Sequence, residues 1–314
     1  MNIYDKLAKP FFALAPLDDV SDVVFRSIVA DCAKPDLFYT EFVNVDGLQS
    51  PGREKLLPRL KITKSDHPII AQIWGKNPEN YYKTAAELFD MGFAGVDINM
   101  GCPIKAVVKN GCCSALINDR PLALEIIKAT KEGAAGKIPV SVKTRLGFNE
   151  IDYTWHEFLL SQNLDCLIIH GRTKKQMSLV PADWEAIGNI SKLRDEISPN
   201  TYMIGNGDVM SLKEGDRLAK QHGVEGIMIG RGVFNDPYVF DSNSQWVNAS
   251  PEEKIALYAK HIQLFADTWT NRERSFNSLK KFAKLYINNF DGAKELRDQL
   301  MKQTSTEELL TLLH

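Results

Sequence analysis

Eight short apolar runs, separated by stretches with helical spacing, constrain this chain more than any other feature. They fall at residues 11–15, 37–42, 69–74, 95–100, 138–143, 165–170, 202–205 and 226–230. Most are nearly continuous in apolar character, as parallel strands buried on both faces require. Between them, residues 78–91 place Tyr82, Ala85 and Phe89 at helical intervals, and residues 121–132 do the same with Leu122, Ile126 and Ala129. Eight such alternations within about 230 residues predict an α/β chain built as a (β/α)8 TIM barrel rather than a doubly wound sheet. No Gly-x-Gly-x-x-Gly opens the first crossover, which counts further against a dinucleotide fold.

In such a barrel the active site lies at the C-terminal ends of the strands. Each run here ends in, or just before, a polar residue: Asp18, Glu41, Gln72, Asn99, Lys143, His170, Asn206 and Arg231. The expectation is one ring of polar side chains around one cavity.

Composition removes several classes of function. With 44% hydrophobic and 25% charged residues the chain has enough apolar side chain for a core, so disorder is excluded. Lys and Arg total 38 against 40 Asp and Glu, a net charge of −2. That excludes a globally basic nucleic-acid coat but not a local patch. No apolar run approaches the roughly twenty residues needed to span a bilayer. The stretch at 10–17 runs directly into Asp18 and Asp19, wrong for a signal peptide. The five cysteines are odd in number and scattered, which suggests neither a disulfide framework nor a metal site. A cytoplasmic protein with no membrane association, no metal and no obligate protein partner is expected.

The pattern changes towards the C-terminus. Ser250-Pro251-Glu252-Glu253 reads as a capping box with proline at the first helical position. Ile255, Tyr258, Ile262, Phe265 and Trp269 follow at helical spacing. Phe276, Leu279, Ala283, Tyr286 and Phe290 mark a second helix, and Ser305 to Glu308 caps a last one. These signals divide the chain into a barrel over 1–245 and a small helical domain over 246–314. Residues 270–302 hold eight positive side chains, Arg272, Arg274, Lys280, Lys281, Lys284, Lys294, Arg297 and Lys302, against four negative ones. The segment is +4 in a chain that is −2 overall, with aromatic residues interleaved. A solvated helix face and a phosphate-contacting face both fit.

The stretch Val96-Asp97-Ile98-Asn99-Met100-Gly101-Cys102-Pro103 sets a cysteine just beyond the fourth run, between glycine and proline. Glycine permits a sharp turn and proline fixes the exit, so Cys102 is expected to face the barrel mouth. A free thiol titrates near pH ~8.5, so at neutral pH it is mostly protonated and can donate a proton. Asn206-Gly207-Asp208 and Gly230-Arg231-Gly232 end the last two runs, where barrels commonly bind phosphate. Bare backbone N–H groups and the Arg231 guanidinium suit that role. Gln72, Lys143 and His170 add an amide, a cation and a ring donor. Together they suit a flat heterocycle with carbonyls and delocalised negative charge, such as a reduced flavin.

The motifs Ala15-Pro16-Leu17, Asp97 to Pro103, Val142-Lys143, His170-Gly171-Arg172-Thr173, Asn206-Gly207-Asp208 and Ile229-Gly230-Arg231 resemble, in order, those of the tRNA-dihydrouridine synthases. The resemblance implies an FMN-dependent enzyme that uses NADPH to reduce uridine in tRNA. Carried over by position, it implies Cys102 as proton donor and Pro16, Leu17, Asp18, Gln72, Lys143 and His170 around the flavin. It further implies Asn206, Gly207, Asp208, Gly230 and Arg231 on the ribityl phosphate. Asn99 and Arg172 would meet the uracil, and the basic tail, Lys280, Lys281 and Lys284 included, would bind tRNA. The chain departs from the family pattern at Gly111-Cys112-Cys113-Ser114-Ala115-Leu116, where Gly-x-Gly-Ala-Ala-Leu is usual. It also lacks the usual Tyr-x-Gly in 176–184, and it has Leu17 where methionine is common. Two other readings fit the residues: an FMN barrel acting on a free pyrimidine, which needs no basic tail, and a non-catalytic RNA-binding barrel, which needs no Cys102.

Overall fold

A computed structural model describes residues 2–271 and 273–313; Arg272, one of the eight tail cations, lies outside the described residues. The strands are β1 (Phe11–Leu14), β2 (Phe38–Tyr39), β3 (Val43–Asn44), β4 (Ile69–Trp74), β5 (Gly95–Met100), β6 (Val140–Arg145), β7 (Cys166–His170), β8 (Tyr202–Asn206) and β9 (Gly226–Ile229). All pair in parallel in the order β1-β9-β8-β7-β6-β5-β4-β2, with β3 also on β4. A parallel bridge between Ala13 and Leu37 closes the ring. The barrel is therefore the one the sequence predicts. The second apolar run differs in detail: only its β2 residues are strand, β3 follows just beyond it, and the Thr40 hydroxyl bonds its neighbour's carbonyl, Glu41 O, at 2.7 Å. A local side chain to backbone bond of this kind competes with the ladder.

Alternation along the strands explains how one sequence builds both a core and a site. Side chains at i and i+2 share the inner face. Phe11, Ala13, Tyr39, Ile70, Cys166, Ile168, Ile204 and Met228 fill the interior as one buried cluster. Tyr4, from the N-terminal helix Ile3–Lys6, joins that cluster and meets the Tyr39 hydroxyl at 3.2 Å. Two residues further along the same strands the inner face turns polar: Ile70 gives way to Gln72, Ile168 to His170 and Ile204 to Asn206. The polar ring is thus the uppermost layer of the barrel filling.

The outer helices are Pro78–Asp90 and Arg120–Ala134 near their predicted places. The first buries Tyr81, Ala85 and Leu88, while Tyr82 and Phe89 are exposed. The expected stripe is therefore one position off, because Thr84 packs inward despite its hydroxyl. Beyond the barrel, Pro251–Thr268 opens with both bonds of the capping box and lies against Val23–Cys32 of the barrel. The single second helix expected over 276–290 is instead two short turns, Asn277–Lys280 and Ala283–Tyr286. Leu279, Ala283 and Tyr286 are nevertheless buried as the spacing requires. Ala293–Leu300 and Thr306–Leu313 complete the segment. Among the described residues no helix is long and apolar enough to cross a membrane.

Candidate active site

The C-terminal mouth holds a cavity of two lobes, of about 210 and 300 Å3, which share Pro16, Leu17, Lys143, Arg145 and His170. Seven of the eight expected ring residues line it. Glu41 does not: it is fully buried and pairs with Arg59 and with Arg274 from the helical segment. The Asp18, Asp19 and Glu41 carboxylates converge to within 4.8 Å, and Arg59, Arg274 and Lys281, the last 3.6 Å from Asp19, balance their charge.

The larger lobe is built on β4 and β5. Cys102 follows the end of β5 and borders this lobe. The Asn99 side-chain oxygen accepts from the backbone N–H groups of Gly101 at 3.0 Å and Cys102 at 2.9 Å, which fixes the turn that carries the thiol. The Asn99 amide donates to Gln72 Oε1 at 2.9 Å, and Gln72 donates to Asp97 at 2.6 Å. Ser141 donates to the other Asp97 oxygen at 2.6 Å. Asp97 is fully buried, and burial raises its pKa to about 6 despite the bonds from Ser141 and Gln72. A closed polar chain thus runs beneath the cavity floor and orients Gln72 and Asn99. Contact with the Cys113 thiol lowers the Cys102 pKa to about 7, against burial and with help from the Ile104 N–H.

The smaller lobe is built on β8 and β9. Gly207 has φ 134°, and a Cβ there would sit 2.6 Å from the Ala182 Cβ, so only glycine fits. Asp208 follows in the left-handed region at φ 56°. Its carboxylate accepts from Arg231 at 2.6 Å, from the Ala182 N–H at 2.9 Å and from Arg172. Burial works against ionisation there, but the Ala182 N–H and the two guanidinium groups hold Asp208 below the usual carboxylate range.

Between the lobes lie Lys143 and His170. Lys143 Nζ donates to Asn206 Oδ1 at 3.1 Å, and Asn206 donates in turn to the Met228 carbonyl at 2.8 Å. Desolvation, then Arg145, lowers the Lys143 pKa to about 8, with Asp97 acting against them. Burial and the cations Lys143, Arg145, Arg172 and Arg231 lower the His170 pKa to about 2. The ring is therefore neutral at physiological pH. Its Nε2 accepts from Arg172 at 3.3 Å, so the ring proton sits on Nδ1.

Two of the expected site residues, Arg172 and Lys280, stand away from the cavity and the tail cleft. Arg172 does not line the cavity: it is 3% exposed and spends its guanidinium on Asp208, His170 and the Val180 carbonyl. Arg145 borders both lobes instead. It donates to the carbonyls of Gly101 at 2.8 Å, Thr173 at 3.1 Å and Met177 at 2.9 Å. The signal for it was present in the sequence, since Arg145 lies two residues beyond Lys143 and so on the same strand face. In the tail, Lys281 and Lys284 border a cleft of about 790 Å3 that reaches Arg231. Lys280 turns away, donating to the Met301 carbonyl at 3.0 Å above the Phe276 ring.

The donor set fits a flavin mononucleotide. Lys143 is a cation recessed in the cavity with a neutral amide oxygen as its hydrogen-bond partner, and an anionic ring edge would balance it. The Gly207 turn and Arg231 border the smaller lobe with donors of the kind that a phosphate accepts from.

Comparison with known proteins agrees with this architecture. The model of the family described as dihydrouridine synthase (Dus) matches residues 13–314. A probable tRNA-dihydrouridine synthase of Staphylococcus aureus (strain Mu50) is 44% identical, over 99% of this chain and 94% of the relative. Probable tRNA-dihydrouridine synthase 2 of Bacillus subtilis (strain 168) is also 44% identical, over 99% and 95%. Among solved structures, morphinone reductase in complex with tetrahydroNAD aligns with a TM-score of 0.53 at 12% identity, over 74% of this chain and 86% of that one. The old yellow enzyme homologue from Zymomonas mobilis aligns with a TM-score of 0.51 at 13% identity, over 76% and 90%. At such identities the likeness is one of fold.

Proposed function

Since the chain belongs to the dihydrouridine synthase family, we propose that it reduces the C5=C6 bond of uridine in tRNA, with FMN as cofactor, NADPH as reductant and Cys102 as proton donor. The observation that carries this reading is the shared cavity, which sets the Cys102 thiol in one lobe and the Lys143–His170 pair where the two lobes join.

Bound FMN would supply the hydride that uracil C6 accepts, its electrons coming from NADPH. Pro16, Leu17, Asp18, Gln72, Lys143 and His170 would hold its ring, and Asn206, Gly207, Asp208, Gly230 and Arg231 its phosphate. The Lys143 ammonium balances negative charge on the ring edge, and neutral His170 offers Nδ1–H without adding a second cation. Cys102 delivers a proton to uracil C5. A general acid works best with a pKa near the operating pH, and proton donation of this kind contributes about 10²- to 10⁴-fold. Asn99 positions Cys102 through the two backbone bonds described above. Arg145, rather than Arg172, is the cation beside the pyrimidine.

The uridine must leave its stack to reach the mouth, at roughly a few kcal/mol. Residues 246–314 act as the tRNA-binding domain in this reading, with Lys281 and Lys284 leading phosphates towards Arg231. The enzyme then works in the cytoplasm and without an obligate protein partner. The decisive experiment is mass analysis of tRNA nucleosides after incubation with the purified protein and NADPH. A gain of two hydrogens at a mapped uridine supports the proposal, and unmodified tRNA overturns it.

Two further outcomes follow. Lys143→Met should weaken FMN binding roughly 10- to 100-fold, the worth of a charge-assisted hydrogen bond; fluorescence titration of the apoprotein with FMN measures it. Replacing Lys281 and Lys284 together by glutamine should weaken tRNA binding and lower the slope of log affinity against log salt by roughly two. Lys280→Gln, by contrast, should leave the slope near the parent value.

A further inference from the structure

Of the buried nucleophilic groups outside the chemistry above, Cys113 stands nearest to it. The Cys112–Cys113 pair lies in a cluster with Cys102, walled by Phe42, Trp74 and Val107. The chain returns there because Cys113 opens the 3-10 turn Cys113–Asn118, whose next residue, Ser114, directs its N–H to the Cys102 carbonyl at 3.4 Å. Cys113 is fully buried, yet its backbone is left-handed, with φ 54°. Glycine takes that conformation far more easily than a residue with a side chain. The chain therefore keeps a thiol where its backbone would favour none, and that residue packs in one cluster with Cys102 at the mouth.

We propose that Cys113 is a positioning residue for the reduction, donating its S–H to the sulfur of Cys102 and readying that group to release its proton. The proposal rests on the reading of Cys102 as proton donor. Of the two thiols, Cys113 is the one that stays protonated: burial, and then Cys102 itself, push its pKa well above the ordinary thiol value. Cys102 shifts the other way, to about 7. A donor facing a sulfur favours its ionised form, so Cys102 gives up its proton more readily while remaining about half protonated at neutral pH. Proton donation needs the protonated form, so activity declines as pH rises through about 7.

The test uses the purified protein and iodoacetamide, with peptide mass analysis reporting alkylation at Cys102 as a function of pH. Cys113→Gly removes the thiol and relieves the left-handed backbone, which offsets part of the cost of the cavity it leaves, and Cys113→Ser keeps the buried volume. It should move the alkylation midpoint from about 7 towards the ordinary value of about 8.5. At pH 7 the rate at Cys102 should fall roughly tenfold, since the thiolate is the reacting form. The alkaline decline in dihydrouridine formation should move up by the same interval. Cys113→Ser keeps a donor and should hold both midpoints near the parent values. A midpoint unmoved in Cys113→Gly overturns the proposal, as does a Cys113→Ser shift as large as that of Cys113→Gly. Failure of the underlying reading looks different: full dihydrouridine formation by Cys102→Ala removes the proton-donor role whatever the alkylation midpoints show.

Discussion

Replacement of Cys102 by alanine is expected to lower dihydrouridine formation in tRNA by about 10²- to 10⁴-fold, the range contributed by a positioned general acid. NADPH oxidation with an artificial electron acceptor should persist, because Lys143, His170 and the Gly207 turn are untouched. The size of the loss follows from the site. Cys102 borders the larger lobe, and its turn is pinned by Asn99. Asp97, for its part, lies fully buried under Gln72 and Ser141, so it offers no substitute proton donor. Nucleoside mass analysis of tRNA, alongside the rate of NADPH consumption, separates the two half-reactions. A variant that consumes NADPH but forms dihydrouridine at the parent rate would sink the assignment.

The second large effect concerns stability and lies beneath the site. Arg26 and Asp66 form an ion pair at 2.9 Å in which both side chains are fully buried. Arg26 also donates to the carbonyls of Ser21 at 2.6 Å and Lys61 at 2.7 Å. Ser21 in turn bonds the Leu17 N–H at 2.8 Å, so the pair props the loop that brings Pro16 and Leu17 to the cavity. Asp66→Ala leaves the guanidinium buried without its counter-charge and should cost about 3–5 kcal/mol, lowering the midpoint of thermal unfolding by roughly 5–8 °C. Replacing both partners together, Arg26→Met with Asp66→Leu, should cost distinctly less than Asp66→Ala, because no unpaired charge remains. Thermal denaturation of the three proteins decides it. Equal losses in the single and double variants would contradict the account.

How far the site could be read from the sequence varied with the reach of each interaction. Gln72, Asn99, Lys143, His170 and Asn206 end apolar runs, and strand alternation alone puts them on the inner face. Their meeting at one cavity follows from the barrel, and all of them line it. Glu41 ends an equivalent run yet is withdrawn from the cavity, because Arg274 reaches it from 233 positions away. No local pattern encodes a contact of that span. Arg172 is withdrawn for a similar reason: its partner Asp208 comes from the following strand end, and the pairing holds the guanidinium away from the cavity lining.

The helical tail divides in the same way. The capping box at Ser250 and the apolar spacing after it are local, and the helix begins where they say. That Lys281 and Lys284 face the cleft while Lys280 reaches Met301 depends on how the short turns pack. Composition and charge count treat the three lysines alike.

What the amino-acid order determined by itself was the alternation of buried strands and amphipathic helices, the closed barrel it implies, and the set of polar residues at the strand ends. Periodicity carries this information because side-chain direction repeats every two residues in a strand and every 3.6 in a helix. Tertiary structure alone decided which of those residues stay open to the cavity, which arginine borders it, and that Cys113 packs in one cluster with Cys102. Those outcomes depend on burial and on competition among charges brought together from distant parts of the chain, and distance along the chain places no limit on which charges meet.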